Sequence, residues 1–197
     1  TGVVSIVSDT WDFWNVITNT AKQLKSEIMA RQPNAIGLNK TVFRPDSGDP
    51  VAILCGTELG QVEDRTKLTP EQKGAVECLW DTFGGTTNEK GYRTLDPHVG
   101  LIYGDSITLE RAEMILQQLE AKGFASDNVV FGIGSYTFQY NTRDTFGFAM
   151  KATYVEIEGK GQAIFKNPKT DNGVKKSAKG LLRVDRANEK YVICDNV

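Results

Sequence analysis

Histidine is almost missing from this sequence: His98 is the single one in 197 residues. Chemistry carried by a histidine cluster inside this chain is therefore excluded. His98 itself, in Asp96-Pro97-His98-Val99, precedes an apolar run and reads as a solvated loop residue. Cysteine is nearly as scarce. Cys55, Cys78 and Cys194 are scattered, odd in number and far from any other Cys or His, which favours reduced packing thiols over a disulfide or a zinc site. No segment is long and apolar enough to cross a bilayer or to act as a signal peptide. Neither sign of charge prevails: Lys and Arg total 23 against 25 Asp and Glu, for a net charge of −2. That balance disfavours a generic nucleic-acid binder, and the expected location is the cytoplasm. What is present, 40% hydrophobic and 24% charged residues, fits a soluble globular body with material for a sizeable core.

Four apolar runs recur, at residues 3–9, 35–48, 98–106 and 128–135, and each breaks into Asp, Gly or Ser where it ends. Short β-rich runs bounded by turn residues are strand signals. The first, from Val3 to Val7, reads as a buried strand with no preceding loop, and the residue before it is Thr1 and Gly2 rather than a methionine start. A chain that begins partway through a larger protein is the expectation.

Helical patterns lie between the runs. Trp14, Ile17, Ala21, Leu24 and Ile28 recur every three or four residues, predicting one buried helical face. Thr69-Pro70-Glu71-Gln72 is a capping box with proline at the first helical position, followed by Ala75, Val76, Leu79, Trp80 and Phe83 before Gly84-Gly85. Thr108 caps a third helix that is expected to bury Leu109, Ala112, Ile115, Leu116 and Leu119 and to end at Gly123. Strands alternating with helices predict parallel pairing, and parallel α/β sheets gather ligand chemistry at the carboxyl ends of their strands. Those ends carry Asp9, then Arg44 with Asp46, then Gly104 with Asp105, then Gly132 to Ser135. From about Phe146 the pattern turns β-rich with Gly, Asn and Lys turns, predicting antiparallel hairpins. The chain thus divides into an α/β part over 1–145 and a β-rich part over 146–197. The basic loop 167–180 between its strands is either a solvated turn or a group of cations near an anionic ligand.

Each strand end has two readings. Gly132 and Gly134 either make a plain tight turn or let backbone N–H groups approach a phosphate. Asp105 either caps a helix or accepts sugar hydroxyls after the access given by Gly104. Arg44 offers a planar fork to a phosphate or an amide carbonyl, and Asp46 suits vicinal hydroxyls or a magnesium-bound pyrophosphate; an internal Arg44–Asp46 ion pair is the other possibility. Arg143 and Lys151 either complete an anion site or decorate the surface. As a set these are phosphate donors, hydroxyl acceptors and one planar arginine without a nucleophile, which suits a phosphorylated sugar whose reaction needs electrostatic placement.

Taken in order, Val3–Asp12, Phe43–Pro50 (FRPDSGDP), Lys90-Gly91-Tyr92 followed by GLIYGDS, FGIGS, NTRD, KATYV and IFKNPKTD resemble the nicotinamide phosphoribosyltransferases, from Val3 to about Val184. The resemblance implies an irregular (β/α) barrel, of which this chain holds part, in a homodimer with a shared active site. It implies transfer of the 5-phosphoribosyl group of phosphoribosyl pyrophosphate to nicotinamide with Mg2+, giving nicotinamide mononucleotide and pyrophosphate in NAD salvage, with ATP as an activity enhancer. In those terms Arg44 contacts nicotinamide and diphosphate, Asp46 the ribose or diphosphate, Gly104 and Asp105 the ribosyl phosphate region, and Gly134 with Ser135 the 5′-phosphate. Arg143 and Lys151 match positions that face anionic groups across the dimer interface, and Asp9 a strand-end aspartate near the site. No metal ligand follows from it.

The sequence departs from that pattern at Ser135 and Tyr136, where the family usually has glycine, and at Ser106, where it often does. Family chains are much longer upstream, and that part carries the aromatic that stacks on the pyridine ring, the aspartate that accepts the carboxamide and the histidine linked to ATP hydrolysis. The missing N-terminal half is thus an expected partner, and this segment alone is expected to be inactive. Two other readings stand beside it: a nicotinate phosphoribosyltransferase, which makes the same bond, and a non-catalytic phosphate-binding or interaction module.

Overall fold

The computed structural model describes residues 2–60, 62–134, 141 and 143–197, and at Arg143 the backbone alone. Strands β1 (Val4–Val7) and β2 (Thr41–Arg44) are followed by a small hairpin of β3 (Gly85–Thr87) and β4 (Arg93–Leu95), then by β5 (Val99–Tyr103) and β6 (Val129–Phe131). The sheet order is β1-β2-β5-β6, and all three pairings are parallel. The α/β expectation holds at this level. Phe43, Leu101 and Val129 lie in register on one face and are all buried. On the other face Val130 is 58% exposed. β1 lies at the sheet's edge rather than inside it: Val4 and Ile6 are exposed, because β1 pairs only with β2 and helices on its own face stand away from it.

Those helices are α1 (Phe13–Asn15), a π-helical turn over Val16–Thr20, α2 (Ala21–Gln23) and α3 (Lys25–Met29). Ile17, Ala21 and Ile28 are buried as the spacing predicts, while Trp14 is only partly buried and Phe13 beside it takes the fully buried place. Leu24 is exposed, because the helical path resets there (φ −93°, ψ 11°) and leaves an open apolar groove of about 470 Å³ lined by Val4, Ile6, Leu24 and Phe43. After β2 the chain enters α4 (Pro50–Cys55), which the sequence pattern alone did not predict. Asp49 caps it, accepting from the N–H groups of Val51 at 2.8 Å and Ala52 at 3.4 Å, with Pro50 at the first position.

The Thr69–Gln72 capping box forms in both directions, but the helix it opens is only α5 (Pro70–Lys73), and a second helix, α6 (Ala75–Phe83), starts after Gly74. The break has a steric cause. The backbones of Gly56 and Gly74 touch, so that a Cβ on Gly74 would stand 2.2 Å from the Gly56 nitrogen. α7 (Leu109–Ala121) is capped by Thr108 and buries Ile115 and Leu119. Leu109 is 81% exposed and Leu116 38%, against expectation, because α7 turns the Ile115–Leu119 stripe into the core and leaves those two on a groove shared with Tyr92 and Phe124.

A buried ionic knot joins the helix ends. Lys122 places its ammonium 2.7 Å from the Glu77 carboxylate and donates to the carbonyls of Cys55 at 2.8 Å and Lys73 at 2.5 Å, the C-termini of α4 and α5. Glu77 also accepts two hydrogen bonds from Arg65, at 2.8 and 2.7 Å. Burial alone would raise the Glu77 pKa, but the bonds from Arg65 and Lys122 outweigh it and hold the carboxyl below its usual value. Burial also pushes the Cys55 and Cys78 thiols up to about 12, in keeping with inert packing residues.

The last part of the chain forms two antiparallel hairpins, β7 (Tyr154–Ile157) with β8 (Lys160–Ala163) and β9 (Leu182–Ala187) with β10 (Lys190–Asp195). Both turn on two residues with positive φ, Glu158-Gly159 and Asn188-Glu189, as tight hairpins of this length require. No helix among the described residues is long and apolar enough to cross a membrane.

Lys122→Met in the full-length chain should lower stability by about 1–3 kcal/mol, since it leaves the carbonyls of two helix ends without their donor while Arg65 still pairs with Glu77. Chemical denaturation checks this. Because the Glu77 pKa is depressed on folding, its contribution is present above the unfolded value near 4.5 and is lost as pH falls through the lower folded value, so acid should narrow the gap between the two proteins.

Candidate active site at the carboxyl ends of the parallel strands

Val7 pairs with Arg44, Phe43 with Leu101 and Tyr103 with Phe131, so the four strands finish along one edge of the sheet. The register therefore brings together Asp9, Arg44, Asp46, Gly104 and Asp105, as the sequence reading expected. His98 precedes β5 and so sits at the opposite edge, its Nδ1 2.7 Å from the Asp96 carboxylate.

Asp9 is the floor of the cluster. It is fully buried, and its Oδ2 accepts from the Asp46 N–H at 2.9 Å and the Ser47 hydroxyl at 2.5 Å. Its Oδ1 lies 3.7 Å from the Lys166 ammonium and has no hydrogen-bond partner among the described residues. Above it, the chain turns from β2 into α4 through Pro45-Asp46-Ser47-Gly48. Ser47 is itself buried and shares a 2.6 Å contact between hydroxyls with Thr170. Gly48 has φ +83°, and a Cβ there would meet the Thr170 carbonyl oxygen at 2.8 Å.

Arg44 and Asp46 do not pair with each other, which removes the internal ion-pair reading. The Arg44 Nε is buried without a hydrogen-bond partner among the described residues. An unpartnered guanidinium N–H is costly, and an acceptor from a ligand satisfies it. Asp105 caps no helix either, because Thr108 takes that place on α7. Its Oδ2 accepts from Lys175 at 2.6 Å, and the same ammonium donates to the Asp46 carbonyl oxygen. Ser106 follows with φ +57°, in the left-handed region that favours glycine.

Beyond β6, Gly132 donates its N–H to the Tyr103 carbonyl at 2.8 Å, and a Cβ on it would stand 3.0 Å from the Gly104 Cα. Here the glycines serve close approach of two strand ends. Gly134 is exposed, and Ser135 and Tyr136 lie outside the described residues. The Arg143 backbone opens a short 3-10 turn (Arg143–Phe146), its side chain lying outside what is described. Lys151 is exposed on the approach to β7 and makes no hydrogen bond or ion pair with the described residues of the cluster.

The basic loop is not a plain solvated turn, because three lysines in and beside it pair with carboxylates at the strand ends. Asn167 and Lys169 donate backbone N–H groups to the carbonyls of Thr10 at 2.9 Å and Trp11 at 2.8 Å, laying residues 166–175 across the strand ends as a strap. Lys166, Lys169 and Lys175 thereby face Asp9, Asp12 and Asp105. The Lys169 ammonium hydrogen-bonds Asp12 and holds that carboxyl below its ordinary pKa. The sequence reading did not single out Ser47, Tyr103, Lys166, Thr170 or Lys175 as site residues. Their roles depend on contacts between residues as far apart in sequence as Asp9 and Lys166, for which local spacing gives no signal.

The nicotinate phosphoribosyltransferase (NAPRTase) family model matches residues 3–194 of this chain. The chain belongs to that family. It is 60% identical over 194 residues to the nicotinamide phosphoribosyltransferase of Acinetobacter baylyi, covering 98% of this chain and 37% of that protein. It is 40% identical over 168 residues to the protein of that name from Mycoplasma pneumoniae (85% of this chain, 35% of that one) and 36% over 192 residues to that of Xanthomonas campestris (96% and 36%). The chain therefore spans little more than a third of the length of these curated relatives.

Gly132→Ala should lower the thermal midpoint by several degrees, since overpacking against backbone costs about 1–3 kcal/mol. Gly134→Ala should leave it within about 1 °C, because a Cβ there would meet nothing within 4 Å among the described residues. Differential scanning calorimetry of the two variants compares them directly.

Proposed function

We propose that the full-length protein transfers the 5-phosphoribosyl group from phosphoribosyl pyrophosphate to nicotinamide, releasing pyrophosphate and giving nicotinamide mononucleotide. The observation that carries this reading is the pair at the end of β2: a buried Arg44 Nε without an acceptor among the described residues, two positions before an Asp46 that it does not neutralise. The names of the relatives support the substrate, and the strap lysines support an anionic one. The four strands described here are, on this reading, part of an irregular (β/α) barrel that the rest of the polypeptide completes.

Breaking the bond to pyrophosphate builds positive character at the anomeric carbon and negative charge on the leaving group. Arg44 is suited to hold the departing diphosphate, and Asp46 and Asp105 to orient the ribose hydroxyls. The pyridine nitrogen of the base carries no proton, so no general base is needed. Gly134 and Ser135 are assigned to the 5′-phosphate.

Mg2+ is proposed as the companion ion. Among the described residues no group of three or more His, Cys, Asp or Glu converges, which suits an ion held chiefly by phosphate oxygens and water with Asp46 or Asp105 adding a carboxylate. When bound, the ion supplies charge neutralisation on the diphosphate. A homodimer is proposed in which Arg143 and Lys151 serve the site of the other subunit; the exposure of Lys151 and its lack of contact with its own cluster support this. ATP is retained as a proposed enhancer of activity.

Incubation of the full-length protein with Mg2+, phosphoribosyl pyrophosphate and equimolar nicotinamide and nicotinate, read by mass spectrometry, should give nicotinamide mononucleotide. Nicotinate mononucleotide instead would reassign the base, and neither product would favour a binding module. Asp46→Ala should lower turnover about 10²–10³-fold with the fold intact, the usual worth of one transition-state electrostatic contact. Unchanged turnover would remove Asp46 from the proposed chemistry.

A further inference from the structure

Tyr103 ends β5 and is fully buried, yet a phenol needs an acceptor when it is removed from water. It finds two outside its own strand. The hydroxyl donates to the carbonyl of Ser47 at 2.8 Å, with that of Gly48 at 3.1 Å, both in the turn that carries Asp46. Burial and the nearby carboxylates of Asp105, Asp9 and Asp46 raise its pKa well above the ordinary phenol range, so it remains a donor at any working pH.

The turn is thus gripped from two neighbouring strands. Asp9, after β1, takes the Asp46 N–H and the Ser47 hydroxyl, while Tyr103, from β5, gives to the carbonyls of Ser47 and Gly48. Tyr103 is also followed directly by Gly104 and Asp105, and its carbonyl receives the Gly132 N–H. One residue therefore joins the loops after β2, β5 and β6.

We infer that Tyr103 is a positioning residue whose hydroxyl fixes the Asp46 turn relative to Asp105 and so sets the phosphoribosyl-donor site without touching the donor. The inference rests on the phosphoribosyl-transfer reading for its kinetic form. Phenylalanine fills the same volume, so Tyr103→Phe removes the tether and leaves the packing. A displaced loop weakens the contacts made to the donor and leaves the base site alone.

The test uses the full-length enzyme, with Tyr103→Phe beside a core control, Leu101→Val, at the neighbouring inward position of β5. Tyr103→Phe should lower kcat/KM for phosphoribosyl pyrophosphate about tenfold, chiefly through KM, and change KM for nicotinamide less than about twofold. Leu101→Val should lower the thermal midpoint without that split. Donor kinetics unchanged in Tyr103→Phe, or altered only as much as in a control of equal stability loss, overturn the inference. If the wild type forms no mononucleotide, the transfer reading fails by itself. Calorimetric binding of Mg2+ and inorganic pyrophosphate then decides for Tyr103. A tenfold weaker affinity in the variant sustains the inference, and equal affinity, or a wild type that binds no pyrophosphate, overturns it.

Discussion

The buried carboxylate of Asp9 is the constraint on which the strand-end architecture depends. A carboxylate removed from water is unfavourable unless hydrogen bonds and opposite charge replace its solvation. Here the replacements are the Asp46 N–H, the Ser47 hydroxyl and the Lys166 ammonium 3.7 Å away. Each comes from a different stretch of chain from the one that carries Asp9. Burying this one charge therefore demands that the loop after β2 and the strap after β8 both arrive, and it couples their positions to the end of β1.

That coupling explains why small residues stand where they do. Gly48 lets the strap carbonyl of Thr170 come within reach of the turn, and Thr170 then shares its hydroxyl with Ser47. Gly132 lets the end of β6 approach Gly104. Neither glycine is needed by the strands themselves. They are needed because loops from four strands must converge, and a Cβ at either place would hold two of those loops apart.

Much of this was legible in the sequence because it is local. The four runs, their polar ends and the alternation with helices fixed which residues would meet once the pairing was parallel, and Thr69 and Thr108 announced their helix starts. The errors have equally physical causes. The expected single helix from Thr69 to Phe83 breaks at Gly74 because another backbone occupies the space. Leu109 and Leu116 share the helical spacing of Ile115 and Leu119, but spacing does not say how many sides of a helix a small sheet covers. Tyr103 looked like a strand residue and nothing more. Its hydroxyl acts on a segment 56 residues away, and only the fold brings the two together.

The electrostatic arrangement bears on the proposed chemistry in a final way. Asp9, Asp12 and Asp105 each face a strap lysine, while Asp46 and Arg44 stand side by side without pairing. The cluster is thus close to neutral before any ligand arrives, with its lysines already engaged. A phosphoribosyl donor carries several negative charges, more than Arg44 alone can balance at short range. Either the strap lysines exchange their carboxylates for phosphate oxygens, or cations enter with the donor. Exchange at Lys175 would release Asp105 to accept a sugar hydroxyl in the same movement, so the anion and the ribose would be received together. On the proposed reading a companion Mg2+ on the diphosphate would supply the remaining charge, so a charge-balanced site would suit a metal-bound donor better than a bare one.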